Sequence, residues 1–169
     1  VALVVENNTG LASADSYVSV ADFKVWLASR GLELDLSDDE METRLRRAFD
    51  YVNGNWTYKS VPVSNEQAGE FPRTDLSDGA GRVTSLVPKR VKDAQCYAAY
   101  YSETNDLFTV AERGGQVTSE AGGPISVSYA AGAPAETLFS AVAKILGCLA
   151  KDQNMPRTPR PAWHAPTTD

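Results

Sequence analysis

Apolar residues recur at helical spacing in four stretches of this chain, and each stretch follows a residue type that starts helices. Ser19 with Asp22, and Ser37 with Glu40, repeat the spacing of a capping box, in which a side chain accepts one of the free N–H groups of the first turn. Pro88 and Pro134 suit the first position of a helix, where a missing N–H has no partner to lose. The first stretch places Val20, Phe23, Trp26, Leu27 and Arg30 on one side, and Gly31 is set to end it in a left-handed conformation. In the second, Met41, Leu45, Ala48, Phe49, Val52 and Trp56 form a single stripe. Val87, Val91, Ala94, Ala98 and Tyr101 do the same after Pro88, and Leu138, Val142, Ile145, Leu146 and Leu149 after Pro134. Four amphipathic helices can close one core, and 169 residues suffice for one domain.

The segments between them differ in kind. Val1-Ala-Leu-Val-Val-Glu6 is a short strand candidate. From Trp56 to Leu86, prolines and glycines interrupt every periodicity, and an irregular stretch of that length inside a compact domain tends to be functional. After the third helix the pattern alternates: Leu107, Phe108 and Val110 read as one strand, Val117 to Ser119 as a second, and Ile125 to Tyr129 as a third, with turns at Arg113-Gly-Gly-Gln116 and Gly122-Gly-Pro124. The expected fold class is mainly α: a four-helix core over residues 1–151, a small antiparallel β meander at about 107–130, and an extended C-terminal arm, 152–169. The arm follows from composition, because residues 155–166 hold four of the nine prolines and cannot build a core. It reads as a partner-binding segment, with Trp163 as anchor and Arg157 and Arg160 as charged contacts.

Charge and composition narrow the function. A net charge of −6 argues against a dedicated phosphate-backbone binder, although an acidic protein can stand beside DNA without gripping it. Cys96 and Cys148 lie within helical patterns and read as small buried residues of a reducing cytoplasm. No apolar run approaches the ~18 residues that span a bilayer, and the first residues lack the basic flank of a signal peptide, so a soluble protein made without export is expected. No enzyme is expected. The one histidine, His164, lies in the arm, where no scaffold would hold a base. Phosphate-loop and dinucleotide fingerprints are missing, and the carboxylates of residues 33–42 lack the spacing of a calcium loop, so neither cofactor nor metal is expected.

Four pieces in order, Ala14-Asp-Ser-Tyr-Val-Ser-Val-Ala-Asp22, Phe71-Pro-Arg-Thr74, Val87-Pro-Lys-Arg-Val-Lys-Asp-Ala94 and Gly123-Pro-Ile-Ser-Val-Ser-Tyr129, make the chain resemble the head-to-tail adaptors, or head-completion proteins, of tailed bacteriophages. Some members of that family have Trp where Phe71 stands. The resemblance implies a structural virion protein, made in the host bacterial cytoplasm and placed in the virion neck. There it forms a ring, commonly dodecameric, under the portal protein. The ring extends the DNA channel without sequence-specific binding and meets the next neck or tail-completion protein, with no membrane involved. It further implies that the arm reaches the portal, which makes Arg157, Pro159, Arg160, Pro161, Trp163 and His164 the expected portal-binding residues. Asp38, Asp39 and Glu42 are then candidates to meet Lys89, Arg90 and Lys92 of a neighbouring copy. Members of the family also carry the description of DnaT-like single-stranded-DNA-binding proteins. That alternative requires a basic groove with exposed rings, for which Trp56, Tyr58, Tyr97, Tyr100 and Tyr101 supply the rings but few basic residues stand near.

Overall fold

The computed structural model describes residues 2–78, 80–108, 119–122, 125–128 and 140–151. Ser19 accepts the N–H of Asp22 at 3.1 Å and opens α1, Val20–Ala28. The helix ends as its glycine requires: Gly31 has φ +64°, its N–H reaches Ala28 O, and the N–H of Leu32 reaches back to Leu27 O. Ser37 and Glu40 form a complete capping box at the start of α2, Asp38–Asn55, whose residues Met41, Leu45, Ala48, Phe49 and Val52 are all buried. Trp56 ends that stripe as the C-cap and is also buried.

Helix α3, Lys89–Tyr101, begins one residue later than the proline rule suggests. Pro88 is the extended residue before the helix, and its carbonyl accepts from Val91 at 2.9 Å and Lys92 at 3.3 Å. It therefore sets the entry direction without occupying a helical position. Val91, Ala94 and Ala98 are fully buried against α2, and α3 also packs on the short α4, Ser140–Leu146. Val142, Leu146 and Leu149 are buried as their spacing suggests, while Pro134 and Leu138 lie outside the described residues. After α4 the chain runs antiparallel to the segment that follows α2: Tyr58 bridges Ala150, and Lys151 N–H reaches Thr57 O at 2.8 Å.

The stretch between α2 and α3 carries two short antiparallel ladders. In the first, β1, Val61–Pro62, pairs with β2, Arg73–Thr74; in the second, β3, Leu76–Ser77, pairs with β4, Val83–Thr84. Phe71, which precedes a cis peptide bond to Pro72, is fully buried between Tyr17 and Tyr58. Burying such a ring contributes about 2–3 kcal/mol, enough to hold an irregular loop against the bundle.

Two strand assignments change. Val5 makes only an isolated bridge to Ser16, so the first residues form no strand. Leu107 and Phe108 lie in a turn, where Leu107 is buried in the core. An apolar pair just past a helix C-terminus can cap the core without extending. The later residues do pair, but further along than expected: β5, Ser119–Gly122, shares only Ser119 with the expected Val117–Ser119 and takes in Gly122 of the expected turn, and it is antiparallel to β6, Ile125–Ser128, with Gly122 opposite Ile125. Residues 109–118 of the expected meander lie outside the described residues.

Candidate functional site

Three surfaces carry the chemistry that the sequence singled out. The first is the acidic start of α2, where Asp38, Asp39 and Glu40 stand in the first turn, favourably placed against the positive end of the helix. Asp38 meets Lys24 of α1 at 2.5 Å. Glu42, one turn on, pairs with Arg46 at 3.0 Å, and the same guanidinium holds Asp15 at 2.8 Å. Asp39 has no cationic partner among the described residues.

The second surface is the basic start of α3. Lys89 pairs with Asp93 at 3.2 Å, whereas Arg90 and Lys92 meet no carboxylate among the described residues. Of the six charges expected to meet a neighbouring copy, then, Asp38, Glu42 and Lys89 already have partners in their own chain, and Asp39, Arg90 and Lys92 do not. Arg157, Pro159, Arg160, Pro161, Trp163 and His164 lie outside the described residues.

The same closure runs through the other cations. Arg30 pairs with Asp93, Arg44 with Glu103, Arg47 with Asp106, Arg73 with Glu70 and Arg82 with Asp78. Every described arginine except Arg90 is thus closed onto a carboxylate of its own chain. Apart from that of the buried Arg73, these pairs are partly or fully exposed and weak, about 0–1 kcal/mol each, and a phosphate could open them. Opening one does not remove the carboxylate, which would still repel a phosphate a few ångströms away.

The third surface is aromatic and joins α1 to α3. Trp26 donates its indole N–H to Asp93 at 2.9 Å, and its ring meets Tyr97 edge-on at 4.7 Å. Arg30 lies over the Trp26 ring at 4.1 Å and beside Tyr97 at 5.7 Å. Tyr97 stacks with Tyr101 at 6.1 Å, and Tyr100 follows at 5.8 Å from Tyr101. These three tyrosines are half-buried, while Trp56 and Tyr58, the other rings considered for base stacking, are buried in the core. Asp93 organises this face by holding Trp26, Arg30 and Lys89 together. Its role was hidden in the sequence, because a carboxylate on the polar side of a helix reads as solvated; only its four-residue spacing from Lys89 hinted at a partner.

Elsewhere a polar hollow of about 500 Å³ lies between α2 and the loop, lined in part by Asp50, Asn53, Gln67 and Glu70. Burial, with the charge of Asp15 behind it, raises the Asp50 carboxyl above its ordinary value. Among the described residues no group of three His, Cys, Asp or Glu side chains could hold a metal ion, and no helix is long and apolar enough to cross a membrane.

A family model described as "Putative DnaT-like ssDNA binding protein" matches residues 1–160. The chain belongs to this family. The match spans all the described elements of this DnaT-like chain and carries the DnaT-like half of the resemblance seen in the sequence, not the adaptor half. No curated protein matches the chain, and no solved structure does.

Proposed function

We propose that this chain is a structural ring protein, a head-to-tail adaptor that sits under a phage portal and lets DNA pass without gripping it. The observation that carries this reading is the closure of the described arginines, apart from Arg90, onto carboxylates of the same chain. A protein that binds single strands through their phosphates needs cations free to replace counterions, and here the acids stand in the way. The net charge of −6 acts in the same direction, since like charge keeps a passing polyanion mobile. The resemblance of the four sequence pieces supplies the setting: the portal protein above, the next neck or tail-completion protein below, and further copies alongside.

A second reading, single-stranded-DNA binding, is favoured by the description of the family to which the chain belongs. The surface it would use is the Tyr97, Tyr100 and Tyr101 row, with Arg90 on the same side of α3. Two measurements separate the readings. The purified protein is mixed with the portal of the same phage and weighed by native mass spectrometry, and it is titrated into a labelled oligo-dT at low salt. Stoichiometric rings with weak strand binding support the adaptor. Tight, salt-sensitive binding to the oligonucleotide by protein that forms no ring would overturn it in favour of strand binding.

A further inference from the structure

A groove of about 840 Å³ lies between the end of α1, residues 31–36 and the first turns of α2. Its apolar lining includes Leu27 and Met41, which are buried, and Leu32, Leu34 and Leu36, which are only partly covered. Between those leucines, Glu33 and Asp35 are exposed, so side chains alternate in and out as along a strand. The backbone N–H and C=O groups of residues 33–36 find no partner among the described residues. Such a segment can accept another extended chain, with pockets for alternate side chains. The rim is acidic: Glu33 and Asp35 have no cationic partner among the described residues, and Lys24 is already engaged by Asp38.

The segment that matches this groove in chemistry belongs to the chain itself. Residues 155–166 carry Arg157, Arg160 and Trp163 and no carboxylate. Where the fold releases that segment decides which copy it serves. Lys151 is tied to Thr57, just past the C-terminal end of α2, whereas the groove lies at the N-terminal end of the same helix. Eighteen helical residues put about 27 Å between those ends. Arg157, six residues beyond Lys151, can stretch at most about 21 Å, so although Trp163, twelve residues beyond, could span about 40 Å, the segment as a whole cannot lie in the groove of its own molecule. In a head-to-tail arrangement the release point of one copy comes next to the groove of the next, and contacts of that type close into rings.

We propose that residues 155–166 of one copy occupy the acidic leucine groove of a second copy, with Trp163 among the leucines and Arg157 and Arg160 against Glu33 and Asp35. The contact deepens the ring reading by naming an inter-subunit joint.

The test uses full-length protein with a photo-crosslinking amino acid in place of Trp163, mixed with isotopically labelled copies. Cross-links from position 163 to residues 24–41 of the other isotopic form are expected. Leu34→Asp should lower their yield about tenfold, as should Arg157→Glu with Arg160→Glu. Glu33→Lys with Asp35→Lys on the groove should recover yield when mixed with the Glu-bearing arm, a rescue that misfolding could not produce. Cross-links confined to one copy, or directed to another surface, overturn the proposal. Rings on the portal without this cross-link would remove the joint and keep the ring, whereas the cross-link without rings on the portal would do the reverse.

Discussion

Arg73 is buried to 5% exposure in a loop, a position where arginine is rare unless its donors are all engaged. Its guanidinium donates to Lys59 O at 2.8 Å, Ser60 O at 2.7 Å, Glu70 O at 2.9 Å and the Glu70 carboxylate at 2.6 Å. One side chain therefore ties the residues after α2 to β2. Arg73→Met should cost about 2–4 kcal/mol in urea unfolding, because the carbonyls it serves would be left in a buried site; a loss below about 1 kcal/mol would show that the loop is held by Phe71 alone. Gly69 is a second such point. A Cβ there would come 2.4 Å from the Tyr17 hydroxyl and 2.7 Å from the Phe49 ring. The hydroxyl cannot retreat, since it donates to Asn53 Oδ1 and accepts the Phe71 N–H. Gly69→Ala should destabilise by about 1–3 kcal/mol in the same measurement. The Phe71-Pro-Arg-Thr74 piece stood out in the sequence only through the resemblance, and the burial of its arginine was not legible, because two of the carbonyls it serves, those of Lys59 and Ser60, lie 14 and 13 residues away. Gln95 escaped for a similar reason. It sits fully buried on α3, accepting the Tyr17 N–H and donating to Ser16 Oγ and Leu45 O, and none of those partners is local in sequence.

At the scale of elements, the starts of α1 and α2 were the most legible features, since a cap is local chemistry. The Ser37–Glu40 box also gives α2 a pH response. Hydrogen bonds from the Ser37 hydroxyl, and then from its backbone N–H, hold the Glu40 carboxyl below its ordinary value of 4.5. A lowered folded-state value means that the contribution is present above the unfolded carboxylate's pKa and is lost as pH falls through the folded one. Urea midpoints measured from pH 7 to pH 3 should therefore converge for the natural protein and Glu40→Gln at the acid end, with the natural protein ahead at neutral pH. Ser37→Ala should cost about 1 kcal/mol at neutral pH through the lost cap. The strand assignments were less legible. An apolar pair such as Leu107-Phe108 fits a strand and a core-capping turn equally well, and packing after α3 decides between them. The two cysteines separate along the same line: burial pushes the Cys96 thiol far above its ordinary range, while Cys148 is half-buried at the end of α4. Native-state alkylation should modify Cys148 first, with Cys96 reacting only as the protein unfolds. Equal rates would mean that α3 opens locally.

For the molecule as a whole, the four-helix core was readable because amphipathic periodicity is a one-dimensional signal. The pairing of its charges was not, because an arginine written next to acids in sequence need not meet them in space. That pairing bears directly on function. Among the described residues, Lys59, Arg90, Lys92, Lys144 and Lys151 have no carboxylate partner, and Lys59 is held by the Cys148 carbonyl at 2.9 Å, so the folded body offers few cations to a nucleic acid. Binding to a single strand releases counterions with a log–log slope of about −0.7 for each phosphate neutralised. Four free cations on the described body contribute a slope no steeper than about −3, and Arg90→Gln with Lys92→Gln should flatten it by about 1.4. If strand binding is the function, that double variant weakens oligo-dT binding at low salt and Tyr97→Ala weakens it by a further 1–3 kcal/mol or so, through lost stacking. If the adaptor reading holds, binding is weak from the start, Tyr97→Ala changes nothing in the titration, and both variants still join the portal in full stoichiometry. The tyrosine variant is the sharper of the two, because stacking survives high salt: a loss of affinity that persists as salt rises would assign the α1–α3 face to bases and would end the adaptor reading's claim that DNA passes this protein untouched.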